Sequence, residues 1–188
     1  MTARRVPIFA TIVVIGAVLT MIGLGIWQLQ RRSEKEALIA RFEAAAHDAA
    51  EVPYPIDDKA EASWFRRSRI SCGRVLSLTT VSGTAASGQK GLAVRATCTD
   101  GAFGEPVTID LGFTREMVTP QWDGGEVAGV IAPGPRLVAD PAVAGLQPLA
   151  KPDPGSLPNN HLAYAGQWFF FALTALVIYV LALRRRRS

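Results

Sequence analysis

VPIFATIVVIGAVLTMIGLGIW, from Val6 to Trp27, contains no charged residue, and neither does LAYAGQWFFFALTALVIYVLAL, from Leu162 to Leu183. Each run is 22 residues long, against the roughly 20 residues of α-helix that a hydrocarbon core requires. A helix also satisfies its own backbone hydrogen bonds, which hydrocarbon cannot do for it. The chain of 188 residues therefore reads as an α+β membrane protein, with two transmembrane helices, over 6–29 and 161–183, flanking one domain. The first run exceeds the roughly 7–15 apolar residues of a signal-peptide core, and no small-x-small site follows it closely. It is expected to remain as an anchor.

Charge assigns the sides. Arg4 and Arg5 precede the first run, Arg184, Arg185, Arg186 and Arg187 follow the second, and neither tail holds an acid. Basic flanks hold short tails in the cytoplasm, so 1–5 and 184–188 are expected inside and 30–160 in the periplasm of a bacterial inner membrane. Between Arg31 and Asp153 lie 14 basic residues and all 16 acidic ones, a net of −2. The sequence pI of about 9.4 thus reflects the anchors, and the lipid bilayer rather than nucleic acid is the expected partner of the basic residues.

The outer segment begins as helix over 30–50. Gln28–Ala50 contains no Gly or Pro and is rich in Ala, Glu, Arg and Leu, all good helix formers. Leu38, Phe42 and Ala45 recur at i, i+4, i+7 and predict one apolar stripe. The first span is expected to run straight on into this helix, which should end by Pro53 or Pro55. The period then changes to two, and 63–132 reads as β-rich. Val107, Ile109, Leu111 and Phe113 alternate with Thr108, Asp110 and Gly112, the mark of a half-buried strand. Leu92, Val94, Ala96 and Cys98 alternate likewise, Phe65–Val81 reads as one or two strands, and Glu126–Ala132 as another. Turn signals fall at Ser82-Gly83, Ser87-Gly88, Asp100-Gly101 and Asp123-Gly124-Gly125. Four or five small antiparallel strands with one helix are expected. The stretch 133–158 holds seven of the twelve prolines and fits either an extended wrap around the domain or a mobile linker.

Reactive groups are few. The two cysteines, Cys72 and Cys98, each fall in an expected strand, and an oxidising compartment with an even count favours a disulfide over two separately buried thiols. The two histidines, His47 and His161, lie outside the expected sheet. No Cys-x-x-Cys, His-x-x-x-His or acidic cluster supports a zinc or copper centre, and no glycine-rich phosphate loop follows a strand. Asp57-Asp58 beside Pro53 and Pro55 reads as a solvated turn. A thiol–disulfide enzyme working through Cys72 and Cys98 lacks any reactive-thiol setting. The chain is not expected to be an enzyme.

The informative residues sit where the spans reach the outer interface. Trp27 and Gln28 end the first span there, and His161, Tyr164, Gln167 and Trp168 open the second. His161, Tyr164 and Trp168 are spaced i, i+3, i+7 and share one helix face. An imidazole, aromatic rings and amides at one depth suit a flat amphipathic molecule. A haem is one, and histidine is a common axial ligand to its iron. The alternative is an ordinary aromatic belt, with Asn159 and Asn160 capping the helix. Gly16, Thr20 and Gly23 put small residues on one face of the first span, which permits close helix packing.

LGIWQLQRRSEKEALIARF at Leu24–Phe42 and PNNHLAYAGQWFFFAL at Pro158–Leu173 resemble the terminal signatures of the surfeit-locus cytochrome oxidase assembly family. VTIDLGFTRE at Val107–Glu116 and GGEVAGVIAPGPR at Gly124–Arg136 are similar to it in pattern. Leu111-Gly112-Phe113 stands where the family usually has Arg-Gly-Trp, and the cysteine pair departs from the general pattern. The resemblance implies an assembly factor for a haem-copper terminal oxidase, with two spans and one outer domain. It implies haem a as the transient cofactor, His161 as its axial ligand, the oxidase catalytic subunit as partner, and a haem a synthase as a further one. Trp27, Gln28, Tyr164, Gln167 and Trp168 are the expected lining by position. A haem-free scaffold that stabilises an oxidase intermediate is the alternative.

Overall fold

The computed structural model describes residues 7–55, 60–99, 104–117 and 120–187. Arg4, Arg5, Asp57-Asp58 and the Asp100-Gly101 turn lie outside these residues, as do the side chains of Arg186 and Arg187. The chain forms two compact units, Met1–Leu38 with Pro158–Ser188, and Ile39–Leu157. Helix α1 spans Ile8–His47 and helix α2 spans His161–Arg187. Both are long and apolar enough to cross a membrane. The first span and the following helix are one element, because nothing between them breaks it. Arg32 Nε reaches Glu36 at 2.7 Å, an i,i+4 pair that supports the polar part of the helix.

The unit Ile39–Leu157 is built on six strands: β1 Arg67–Cys72, β2 Arg74–Thr84, β3 Lys90–Thr99, β4 Val107–Thr114, β5 Gly125–Ala132 and β6 Arg136–Ala139. They lie in the order β1-β5-β6-β4-β3-β2. Every pairing is antiparallel except β4 with β6, which is parallel through Ile109↔Leu137 and Asp110↔Val138. The strand count thus exceeds the expected four or five. The extra strand, β6, hides in the proline-rich stretch, where four residues show no periodicity that marks a strand.

The two edge strands are joined by Gly73 alone. Across a flat sheet of six strands the edges would stand about 24 Å apart, whereas two peptide units reach at most about 7.6 Å. The sheet must therefore curl until its edges meet at Cys72 and Arg74. The curl encloses the core. Ile70, Val94, Ile109, Leu111, Ile131 and Leu137 are all essentially inaccessible, and Val75 and Leu78 of β2 pack against them. Cys72 and Cys98 form a disulfide with their Cα atoms 5.4 Å apart, tying the end of β1 to β3.

Two sequence expectations change. Ser82-Gly83 is no turn but lies inside β2. A Cβ at Gly83 would come within 2.7 Å of the Ala93 backbone nitrogen, so the glycine serves close strand contact. The hairpin turn falls instead at Ala85–Gly88, with Ala85 N–H donating to Gln89 O at 2.9 Å. Nor is β4 half-buried: Asp110 on its second face is also covered. Past the register shift between Val94 and Arg95, Gly112 stands opposite Val94, and Phe113 joins that second face opposite Ala93. That face carries the proline-rich stretch as a wrap. Leu149 bridges Ala85 and Gln147 bridges Phe113, and Pro154–Ser156 forms a 3-10 turn capped by Asp153.

Helix α1 enters this unit through Phe42, buried against Phe65 with ring centroids 5.2 Å apart. Phe65 adopts φ 67°, unusual for a bulky residue, where the chain turns from the 3-10 segment Ala60–Ser63 towards β1.

Replacing Cys72 and Cys98 together by serine should cost about 3 kcal/mol by releasing a loop of this length in the unfolded chain. Chemical denaturation followed by tryptophan fluorescence reads it; a loss well under 1 kcal/mol would mean the strands alone hold the corner. Burial pushes the Tyr54 phenol up to about 12 from its ordinary 10.0. The unfolded phenol ionises first, so this contribution is complete below pH 10 and is lost as pH rises towards 12. Alkaline titration of stability should show that fall, and Tyr54→Phe should flatten it.

Candidate functional site

Between Met1–Leu38 and Pro158–Ser188, which form one unit, the two helices pack antiparallel. On α1 Thr11, Val14, Val18, Met21, Gly25 and Gln28 are covered in a 3,4 alternation, with Leu24 beside them. On α2 His161, Ala165, Trp168, Ala172, Ala175 and Tyr179 follow the same alternation, with Thr174 and Leu183 also partly covered. Such spacing is the seam of paired helices with knobs-into-holes packing. Small residues set its closeness: Ala165 and Ala172 are buried, and a Cβ at Gly25 would stand 2.5 Å from the Phe169 ring. The expected small face of Gly16, Thr20 and Gly23 turns elsewhere. Nothing lies within 4 Å of a Cβ built on Gly16 or Gly23, and the Thr20 hydroxyl donates to Gly16 O within the helix at 2.9 Å.

Polar groups close the seam at both ends. Thr11 and Tyr179 share a hydroxyl–hydroxyl bond. At the other end His161 Nδ1 lies 2.7 Å from Gln28 Oε1. With the amide oxygen as acceptor, the proton sits on Nδ1 and the neutral ring keeps its Nε2 lone pair for a ligand. A histidine held this way by a second side chain is oriented as metal-ligating histidines are. Two residues away, the Asn159 Oδ1 acceptor is buried with no hydrogen-bond partner, so it does not cap α2. This end of the seam therefore holds one imidazole oriented by a side-chain amide, a nitrogen donor that fits a haem iron.

The other expected residues divide. Trp168 stays on the seam, edge-on to Phe171 at 6.4 Å between centroids. Trp27 and Tyr164 are each 50% exposed, and Gln167 is exposed. The i, i+3, i+7 face is thus split, with His161 and Trp168 towards α1 and Tyr164 on the flank. The Gln28–His161 bond is not visible in spacing, since 133 residues separate the pair. Among the described residues no cluster of three or more His, Cys, Asp or Glu could hold a metal ion.

A model described as the SURF1 family matches residues 15–173. The chain belongs to the SURF1 family. The match takes in most of α1, the whole sheet and the first part of α2, including the segments with Leu111-Gly112-Phe113 and the cysteine pair. The SURF1 family is associated with cytochrome oxidase assembly, which makes an oxidase the partner class, and it is not a known enzyme class. No curated protein matches the chain significantly. For this SURF1 protein, Gly25→Leu should force Phe169 and α2 outward. Cross-linking between Gln28→Cys and His161→Cys should then drop severalfold, while Gly23→Leu should leave it unchanged.

Proposed function

We propose that this SURF1 protein holds haem a through His161 and passes it to the catalytic subunit of a haem-copper oxidase. One observation carries the reading: His161 Nδ1 lies 2.7 Å from Gln28 Oε1, and with that oxygen as acceptor the proton sits on Nδ1 and Nε2 is left as a ligand atom. In this proposal the haem is cargo, and its iron accepts the imidazole lone pair. Gln28 orients the ring, and Trp168 packs beside it. Trp27 and Tyr164, half-exposed, sit where an interfacial belt would, and Gln167 adds an amide at the same level. A single histidine ligand suits a carrier, because one bond must break for release.

The same reading sets the topology. Arg184 and Arg185 end α2 directly after its charge-free run, and positive-inside placement puts that end in the cytoplasm of a bacterial inner membrane. The unit Ile39–Leu157 would then lie in the periplasm, where an oxidase subunit or a haem a synthase could dock and where a disulfide persists.

The test is the optical spectrum of protein purified from membranes of cells that make haem a. His161→Ala should abolish the haem band while membrane insertion is kept. Gln28→Leu should weaken retention roughly tenfold, the scale on which lost orienting partners act. A colourless wild-type protein that still co-purifies with an oxidase subunit would leave the haem-free scaffold as the function.

A further inference from the structure

Far along the sequence from the histidine, the second face of the sheet carries a charged group that the haem reading does not use. Asp110 is 4% exposed and stands directly opposite Arg95 in the β3–β4 register. Arg95 grips it with two bonds, Nε to Oδ1 at 2.6 Å and Nη2 to Oδ2 at 3.1 Å. That fork alone compensates a buried carboxylate. Arg136 of β6 nevertheless adds a third bond, Nε to Oδ2 at 2.9 Å. Two guanidiniums on one carboxylate leave one positive charge in excess, on side chains only 31% and 34% exposed.

The excess faces a cleft of about 440 Å³, in the range of small-ligand sites. Its floor is Arg95, Asp110 and Arg136; its walls are β2 at Ser82–Thr84 and the wrap at Leu149–Asp153. Lys151 and Asp153 add one charge of each sign at the rim. Lys151 is also paired with Asp140 at 2.8 Å, and Arg67 shares that carboxylate at 3.6 Å, so this outer pair of opposite charges leaves the count unchanged. The lining therefore holds three positive and two negative groups, a balance of +1. A monoanion neutralises that balance; a dianion overshoots it. Each guanidinium has five donors; the bonds to Asp110 use two from Arg95 and one from Arg136, and Arg136 Nη1 also donates to Pro133 O, so both retain donors for a second acceptor. Asp110 locks the two side chains in place, which removes most of the ordering cost of binding.

We propose that this cleft is a binding site for a carboxylate, seated on Arg95 and Arg136 and framed by two extended backbones. The carboxylate is either a small free acid or the C-terminus of a peptide, and the two sources separate by affinity.

Titration calorimetry on the detergent-solubilised full chain, at fixed ionic strength, uses acetate, N-acetyl-Ala-Ala acid and N-acetyl-Ala-Ala amide. The acids should bind and the amide should not. A peptide acid tighter than acetate identifies a chain terminus, and equal affinities identify a small acid. Lys151→Gln should weaken acid binding about threefold and Asp153→Asn should strengthen it about threefold, as exposed charges of this kind do. Arg136→Gln should abolish it. Should that variant fail to fold, the Lys151 and Asp153 variants, both on exposed positions, decide the matter. Absence of binding by either acid, equal binding of the amide, or affinities unmoved by both rim variants would overturn the proposal.

Discussion

A single residue, Gly73, joins the two edges of the sheet, and the shape of the six-stranded domain follows from that constraint. Strands β1 and β2 are sequence neighbours but sheet opposites. Their shared end forces the curl, and the curl turns one face into an enclosed core fed by every strand. The Cys72–Cys98 disulfide fixes the same corner covalently. The other face, left convex, is where the wrap lies and where Arg95, Asp110 and Arg136 meet. A sheet without that corner would need a second layer to bury Ile109, Leu111 and Leu137.

The helix pair obeys a different rule. Between two apolar helices in hydrocarbon there is little hydrophobic drive, and close contact rests on small residues and polar bonds. Gly25, Ala165 and Ala172 supply the first; Thr11 with Tyr179 and Gln28 with His161 supply the second. The His161–Gln28 bond therefore serves both to close the seam and to present a ring nitrogen. Those roles are compatible because imidazole has two nitrogens and the seam occupies only one.

Much of this was legible in the sequence. The helices announce themselves by charge-free runs of the right length, and the alternations in β3, β4 and β5 mark real strands. Family membership was readable at the two motifs flanking the domain. What escaped has physical reasons. β6 is too short to show a period and is held by neighbours on both sides rather than by propensity. Gly83 has the composition of a turn but is required by strand contact. Asp110 sat on the face taken as solvent-exposed, since nothing in VTIDLGFT shows that a segment some 40 residues later covers it. His161 and Gln28 were each identified as site residues, yet only the paired helices reveal that they bond.

The shortest strand has the largest topological burden. β6 alone links β1 and β5 to β4, β3 and β2, and it pairs with β4 at only two positions. It is also the last strand synthesised, about twenty residues before α2 begins. During biosynthesis the domain therefore waits in two halves until Arg136–Ala139 emerges, and its sheet is completed only as α2 is being made. Closure of the sheet and synthesis of the C-terminal helix are thereby successive steps of one event. A chain arrested before β6 has only its two chain connections, Gly73 and the segment 115–124, and the Cys72–Cys98 bond to keep its halves together.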